Sequence, residues 1–362
     1  MSEVLLAVGT DKGLFLGRSS DRQSWSWSGP HFLMQGVYAL TVDRRGPRPR
    51  IIVGADSSHW GPSVFTSDDL GESWQEPAAP PVRFPEDTGA SLVRLWQLRP
   101  GPADEPGVVW AGTEPAALFR SEDGGESFTL VRSLWEHPQR AEWGAGFGGQ
   151  GLHTIIQDPR DARRLTIAVS SGGVYRSEDG GQNWAASNEG IEARFLPDRY
   201  PEFGQCVHKI SPDAQDPDRL YLQNHGGVYR SDDGGQKWQR IDQGLPADFG
   251  FPIVAHPHRS GTAYVFPLVA DYERLPPEHR CRVYRTDDAG SSWTPLDTGL
   301  PNQEHFGVVL RDALCTDDAD PVGIYFGNKN GELYGSADEG GSWHLLREHL
   351  PTVLCVKAFQ LA

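Results

Sequence analysis

Residues 172–184 read GGVYRSEDGGQNW, and nearly the same sequence returns at 226–238 as GGVYRSDDGGQKW. Both contain the pattern S/T-x-D-x-G-x-x-W/F, which we call the box. Six boxes occur, at 67–74, 121–128, 177–184, 231–238, 286–293 and 336–343. Their central aspartates are Asp69, Asp123, Asp179, Asp233, Asp288 and Asp338. A repeat at this regular spacing predicts an array of similar structural units.

The sequence around each box predicts four short strands. In one repeat, β-branched and apolar residues fill 152–156, 164–169 and 173–177, and turns rich in glycine and aspartate separate these segments. The box forms the next turn, and Trp184 opens a fourth strand. Four antiparallel strands per repeat are typical of a β-propeller blade.

The two ends of the chain contain pieces of one more repeat. Residues 4–9 and 13–18 match the second and third strands, and 20–25 resemble a shortened seventh box. Residues 352–357 form a strand-like segment that has no partner of its own. Joining this segment to the N-terminal strands closes a ring of seven blades and removes open sheet edges. We therefore predict one all-β domain over residues 1–362.

Composition restricts the partners. The chain has 362 residues and a formal net charge of −16, which disfavours nucleic acid and anionic membranes because both need a basic surface. We find no apolar run of the roughly 18 residues that span a membrane, and no secretory signal, so a cytoplasmic location is expected. Four scattered cysteines without a CxxC motif predict reduced thiols.

The box resembles the Asp box, or BNR repeat, of sialidases, sortilin-type receptors, xyloglucanases and photosystem assembly factors. This resemblance covers the whole chain and implies a seven-bladed propeller, but these relatives differ in function. Sialidases carry an arginine triad and an Arg-Ile-Pro motif that we do not find here, so sialidase activity is not expected. The xyloglucanase-like enzymes have two propellers and are much longer.

The box itself is predicted to be scaffold. Its aspartate is suited to accept hydrogen bonds from turn amides, its glycine allows positive φ, and its aromatic side chain packs between sheets. Function is expected on the opposite face, where the first strands begin.

Counting back from the turn after each first strand identifies Tyr38, Arg94, His153 and His208 on that face, and the turns between second and third strands add Glu114. These five are the candidate catalytic residues. The candidate ligand contacts are His59, Trp60, Trp143, Asn224, His225 and Lys329. Long insertions at 132–151, 188–205 and 270–280 are expected to act as lids or binding loops.

These residues support several chemistries. A glycosidase needs two carboxylates, and Glu114 pairs with Asp56, Glu142 or Asp198 as the second. The histidines are packed channel residues, acid/base groups or ligands of a divalent metal, with His153, His208 and His225 as the candidate set. The sequence requires no cofactor.

The functional prediction is a sialidase-like or glycosyl-hydrolase-like propeller that acts on or binds a small polar ligand such as a saccharide. Two alternatives remain open. One is a non-catalytic module that binds a protein partner, and the other is a metal-dependent hydrolase or lyase that uses the histidines.

Overall fold

The computed structural model describes residues 3–146 and 148–361; Met1, Ser2, Phe147 and Ala362, and with them both ends of the predicted domain, lie outside the described residues. The first fourteen strands are β1 (Val4–Thr10), β2 (Gly13–Ser19), β3 (Ser26–His31), β4 (Gly36–Asp43), β5 (Arg50–Ser57), β6 (Gly61–Ser67), β7 (Arg94–Pro100), β8 (Val109–Glu114), β9 (Leu118–Ser121), β10 (Thr129–Leu130), β11 (Leu152–Asp158), β12 (Asp161–Val169), β13 (Gly173–Ser177) and β14 (Ala185–Ala186). The remaining strands are β15 (Val207–Pro212), β16 (Leu220–Asn224), β17 (Gly227–Ser231), β18 (Gln239–Arg240), β19 (Phe249–Ala255), β20 (Ala263–Leu268), β21 (Val283–Thr286), β22 (Thr294–Leu296), β23 (Leu314–Thr316), β24 (Ile324–Gly327), β25 (Leu333–Ser336), β26 (His344–Arg347) and β27 (Val353–Gln360).

Helical structure is confined to short turns. The described chain has one α-helical turn, α1 (Arg132–Trp135), and three 3₁₀ turns at Glu86–Thr88, Pro138–Glu142 and Pro277–His279. Within residues 3–146 and 148–361, no helix is long and apolar enough to cross a membrane.

The strands form seven antiparallel sheets, which are the blades of a β-propeller, as predicted. The first unit contains Met1–Leu33, Glu189–Pro201 and His208–Ala362 and holds four sheets: β27-β1-β2-β3, β15-β16-β17-β18, β19-β20-β21-β22 and β23-β24-β25-β26. The second unit contains Met34–Asn188 and Glu202–Val207 and holds β4-β5-β6, β7-β8-β9-β10 and β11-β12-β13-β14. The sheet β4-β5-β6 has three strands, and a single bridge between Thr66 and Gln75 stands where a fourth would begin.

The predicted ring closure is confirmed. Strand β27 pairs antiparallel with β1, with Val8 opposite Val356. The Leu361 amide then donates to the Glu3 carbonyl at 2.7 Å. The two ends of the chain therefore form one blade, and the inner edge of β1 is covered.

Each unit has its own buried core of strand residues. In the first unit the core includes Phe266, Phe326 and Trp343. In the second unit one cluster includes Leu118, Tyr175 and Trp184. The box residues Trp184 and Trp343 belong to these cores, so their turns are anchored by apolar burial.

The box turns are held by their aspartates. Asp179 Oδ1 accepts from Ser177 Oγ at 2.9 Å and from the amides of Gln182 and Asn183 at 3.0 and 2.9 Å. Asn183 Nδ2 donates to Asp179 Oδ2 at 2.7 Å. These bonds, led by the one from the Asn183 side chain, lower the pKa of Asp179 to about 2. The carboxylate is committed to its own turn.

The shortened seventh box has the same bonding. Asp21 Oδ1 accepts from the amides of Gln23 and Ser24, both at 2.8 Å. The hydroxyl that completes the turn comes from Ser19, which donates to Asp21 at 2.9 Å. This box therefore begins at Ser19, the last residue of β2, and the predicted segment 20–25 omitted that residue.

Candidate functional site

Three strand ends of the second unit bring two carboxylates to one arginine. Asp56 lies near the end of β5, Arg94 begins β7 and Glu114 ends β8. Arg94 and Glu114 are register partners in the antiparallel pair β7–β8, so their side chains start close together. Arg94 Nη1 donates to Glu114 Oε2 at 3.1 Å, and Arg94 Nε lies 3.5 Å from Asp56 Oδ2. We call Asp56, Arg94 and Glu114, with Tyr38 and Trp96, the Arg94 site.

Aromatic rings hold the arginine in place. The Arg94 guanidinium carbon lies 4.3 Å from the ring centroid of Tyr38 and 5.2 Å from that of Trp96. The two rings meet edge to face at 5.2 Å. Trp96 Nε1 also donates to Glu114 Oε2 at 3.2 Å. The guanidinium is therefore oriented by cation–π contacts as well as by its acidic partners.

The backbone of the long insertion 132–151 reaches the Arg94 site. A Cβ atom at Gly149 would lie 2.0 Å from Glu114 Oε1, and one at Gly151 would lie 2.4 Å from Trp96 Nε1. Gly149 also has φ +91°, a conformation that side chains disfavour. Only glycine fits at these two positions, because the chain lies directly against the carboxylate and the indole.

Asp56 is the most perturbed group of the Arg94 site. Burial raises its pKa to about 7, the charge of Arg94 opposes this rise, and the charge of Glu114 adds to it. Among the described residues, none makes a hydrogen bond of standard geometry to either Asp56 carboxylate oxygen. Near neutral pH the Asp56 carboxyl is therefore protonated in some molecules and ionised in others, which suits a group that transfers a proton.

Of the three carboxylates considered as partners of Glu114, Asp56 is the one that shares Arg94 with it. Glu142 is exposed at the end of a 3₁₀ turn. Asp198 is exposed too, and its Oδ1 accepts from the amide of Tyr200 at 2.9 Å. In the described parts of the chain, the ion pairs of Arg94 are with Asp56 and Glu114.

The predicted aromatic contacts lie in different surroundings. Trp60 is 89% exposed, on the turn that follows β5. Its amide and that of His59 donate to Ser57 Oγ, each at 3.2 Å. Trp143 instead is buried, and its Nε1 donates to Tyr175 Oη at 2.8 Å. A ligand can therefore contact Trp60, whereas Trp143 belongs to the core beneath the insertion.

His153, in the second unit, is enclosed. Its Nε2 lies 2.9 Å from the Val207 carbonyl and its Nδ1 lies 3.0 Å from Thr154 Oγ1. Because a carbonyl can only accept, Nε2 carries the proton. Both ring nitrogens are thereby engaged, an arrangement that favours the packed-histidine hypothesis over metal binding at this position.

His208 and His225, in the first unit, lie together within an aromatic cluster. Their ring centroids are 5.6 Å apart, and the His208 ring stacks on Phe251 at 4.9 Å. His208 Nδ1 lies 2.5 Å from the Gly250 carbonyl, and His225 Nε2 lies 3.3 Å from Asp271 Oδ2. Their role as metal ligands stays a prediction.

The last two predicted contacts are also in the first unit. Asn224 is buried, and its Nδ2 donates to the Glu192 carbonyl at 2.9 Å. Lys329 is exposed, and its amide donates to the Val308 carbonyl. Asn224 therefore helps to hold the loop that contains Glu192, whereas Lys329 faces solvent.

Sequence reasoning missed Trp96. The count from the following turn selected one residue per first strand and stopped at Arg94. Trp96 lies at an irregularity of β7 between Leu95 and Gln97, where strand alternation is interrupted, so counting along the strand gave no signal for it.

Comparison with known proteins places the chain among β-propellers with xyloglucanase relatives. No family model matches. The chain is 25% identical to the oligoxyloglucan-reducing end-specific xyloglucanase of Emericella nidulans, over 86% of this chain and 43% of that protein. It is also 25% identical to xyloglucanase Xgh74A of Acetivibrio thermocellus, over 65% of this chain and 30% of that protein. The chain thus spans less than half the length of these curated relatives.

Two solved structures share the fold. An ancestral GH74 enzyme superposes with a TM-score of 0.57 at 18% identity, covering 86% of this chain and 38% of that chain. YCF48 bound to D1 peptide superposes with a TM-score of 0.52 at 12% identity, covering 90% of this chain and 93% of that chain.

Proposed function

We propose that this protein is a glycoside-hydrolase-like propeller that binds a saccharide at the Arg94 site and acts on it there. The observation that carries the proposal is one arginine between two carboxylates, of which Asp56 has a pKa near 7. Glycoside hydrolysis uses a carboxylic acid and a carboxylate on either side of the scissile bond. The names of the two curated relatives, both xyloglucanases, support xyloglucan or its oligosaccharides as the substrate class.

The two carboxyl groups take different roles. Asp56 is partly protonated near neutral pH because burial raises its pKa to about 7. It donates its proton to the leaving oxygen, while Glu114 takes a proton from the water that attacks the sugar carbon. Glu114 accepts hydrogen bonds from Arg94 and Trp96, which fix its orientation. Trp60 offers an exposed ring on which a sugar can stack.

The experiment is hydrolysis of xyloglucan oligosaccharides, followed by reducing-end assay and mass spectrometry. Asp56→Asn and Glu114→Gln are each expected to lower kcat by about 10²–10⁴-fold, the usual range for acid/base groups. Glu122→Gln is the control, since Glu122 is an exposed carboxylate paired with Arg120 on a box turn. Turnover that is unchanged in both site variants would refute the catalytic roles.

Binding separates recognition from catalysis. Trp60→Ala is expected to weaken oligosaccharide binding in calorimetry while the fold, followed by circular dichroism, is unchanged. A wild-type protein that binds none of the oligosaccharides would overturn the proposal.

A protein-interaction role is the second candidate. Aromatic side chains in the loops of the first unit are exposed, with Tyr272 87% accessible and Tyr200 also largely exposed. Exposed aromatic residues are enriched where proteins bind one another. Tyr200→Ser with Tyr272→Ser should abolish capture of such a partner and leave oligosaccharide binding intact; if partner capture survives in this double variant, these loops are not the docking surface.

A further inference from the structure

A second ionic cluster lies in the first unit and contains none of the sequence-predicted site residues. Lys209 is in β15, Asp312 lies two residues before β23, and Lys357 is in β27. Lys209 Nζ donates to Asp312 Oδ1 at 2.7 Å, and Lys357 Nζ donates to the same oxygen at 3.0 Å. We call these three residues the lysine cluster.

The topology shows how these residues meet. The strands β15, β23 and β27 are the first strands of three blades, and first strands line the central channel of a propeller. The blade that starts with β19 comes between those of β15 and β23, and it packs against both. The Lys209–Asp312 ion pair therefore bypasses an intervening blade, which it can do only across the channel.

The cluster carries more positive than negative charge. One carboxylate serves two ammonium groups, and Arg311 adjoins it in the chain. Burial, together with the charges of Lys357 and Arg311, lowers the pKa of Lys209 to about 8, against the pull of Asp312. The two lysines hold the pKa of Asp312 well below its usual range despite burial. A further anion would relieve this imbalance.

Asp312 also has an unused acceptor. Both lysines bond to Oδ1, whereas no described residue donates a hydrogen bond to the buried Oδ2. A buried polar atom without a partner is uncommon and often marks the place of a bound water, ion or ligand. The Lys209 and Lys357 side chains keep 13% and 25% of their surface accessible, so a small solute can reach them.

We propose that the lysine cluster binds inorganic phosphate. The charged phosphate oxygens accept hydrogen bonds from Lys209 and Lys357, and the remaining P–OH donates to Asp312 Oδ2. Sulfate has a similar size but has no proton at neutral pH, so its oxygen would face the carboxylate without a hydrogen bond. Asp312 thus selects phosphate over sulfate by an unfavourable contact with the wrong anion.

The test is calorimetric titration of the full chain with inorganic phosphate and with sulfate, at equal ionic strength and pH 7. One phosphate per chain is expected, with affinity at least tenfold higher than for sulfate; equal affinities, or no binding of phosphate, would overturn the proposal. Glycerol phosphate, tested in parallel, should bind more weakly than inorganic phosphate, because a phosphomonoester is mostly the dianion at pH 7 and then has no P–OH; equal affinity would contradict the role given to the P–OH.

Variants locate the site. Lys357→Met is expected to abolish phosphate binding, and Lys237→Met, which alters an exposed lysine paired with Glu189, is expected to leave it unchanged. Phosphate bound equally by both variants would place the site elsewhere and refute the assignment.

A measurement on the unaltered protein covers the case in which Lys357→Met does not fold. Reductive methylation, mapped by mass spectrometry, should be slowed at Lys209 and Lys357 by phosphate but not by sulfate, with Lys237 as the unprotected reference. Equal methylation rates in the two salts would contradict the proposal.

Discussion

The Arg94 site and the lysine cluster are opposites in charge. In the first, one cation, Arg94, lies between the carboxylates of Asp56 and Glu114. In the second, one carboxylate, Asp312, lies between the ammonium groups of Lys209 and Lys357. The residues of the Arg94 site lie at or near strand ends, and the two lysines of the lysine cluster lie on first strands. Each group contains a buried aspartate.

The two aspartates show how the ratio of neighbouring positive to negative groups determines the pKa of a buried carboxyl. Burial acts on both in the same direction, since it disfavours the charged form. At Asp56 burial prevails and the pKa rises to about 7, because one guanidinium is shared with a second carboxylate. At Asp312 two ammonium groups outweigh burial and the pKa falls. One aspartate is thereby suited to hold a proton and the other to hold a charge.

The largest expected effect is that of removing the charge of Asp312. Asp312→Asn leaves two buried ammonium groups without their carboxylate, and breaking a buried ion pair in this way costs about 3–5 kcal/mol. Urea unfolding at pH 7 measures this loss. Because the pKa of Asp312 lies below its unfolded value, the loss should be similar between pH 5 and pH 7, below the pKa of about 8 at which Lys209 loses its proton; a loss that disappears at pH 5 would contradict the assigned charge.

A box aspartate provides a reference outside both the Arg94 site and the lysine cluster. Asp179→Ala removes the hydrogen bonds that hold one turn and should lower Tm by less than Asp312→Asn does. Oligosaccharide turnover and phosphate binding should both be retained at 25 °C. Loss of either activity in a folded Asp179→Ala protein would show that the box has more than a structural role.

Asp56→Asn should differ from Asp312→Asn in how its effect on stability depends on pH. The folded pKa of Asp56 is raised, so its protonated form stabilises the protein fully below the unfolded pKa of about 4, and this stability is lost as pH rises through about 7. The Tm of the variant relative to wild type should therefore increase between pH 4 and pH 8. A Tm difference that does not vary with pH would mean that Asp56 titrates normally.

The smallest predicted effect is at Trp96. Trp96→Phe keeps an aromatic ring beside Arg94 but removes the hydrogen bond to Glu114, a loss of about 1 kcal/mol or roughly fivefold in kcat/KM. Phosphate binding should not change. A loss as large as that of Glu114→Gln would show that the indole N–H is essential rather than supporting.

The fold was predictable because every blade repeats the same local chemistry. The spacing of the boxes located the strands, and the unpaired segment at 352–357 indicated the closure with β1. The same spacing selected both Arg94 and Glu114 as candidates, but their pairing is seen only in the register of β7 and β8.

The rest depended on contacts that have no sequence period. Lys209 and Asp312 are 103 residues apart, and neither occupies a repeated position. Trp143 was predicted at the surface because it lies in a long insertion, but its indole packs with Tyr175 instead. An insertion can build core as well as cover a ligand, and composition alone does not distinguish the two.

The blade that joins β27 to β1 has a consequence for synthesis. A ribosome adds about 5–20 residues per second, so β1 emerges on the order of tens of seconds before β27, about 340 residues later in the chain. During that interval the inner edge of β1 has no partner, and unpaired edges invite aggregation. Slow codons late in the message, or depletion of chaperones, should therefore reduce the soluble yield of this protein more than they affect its finished stability.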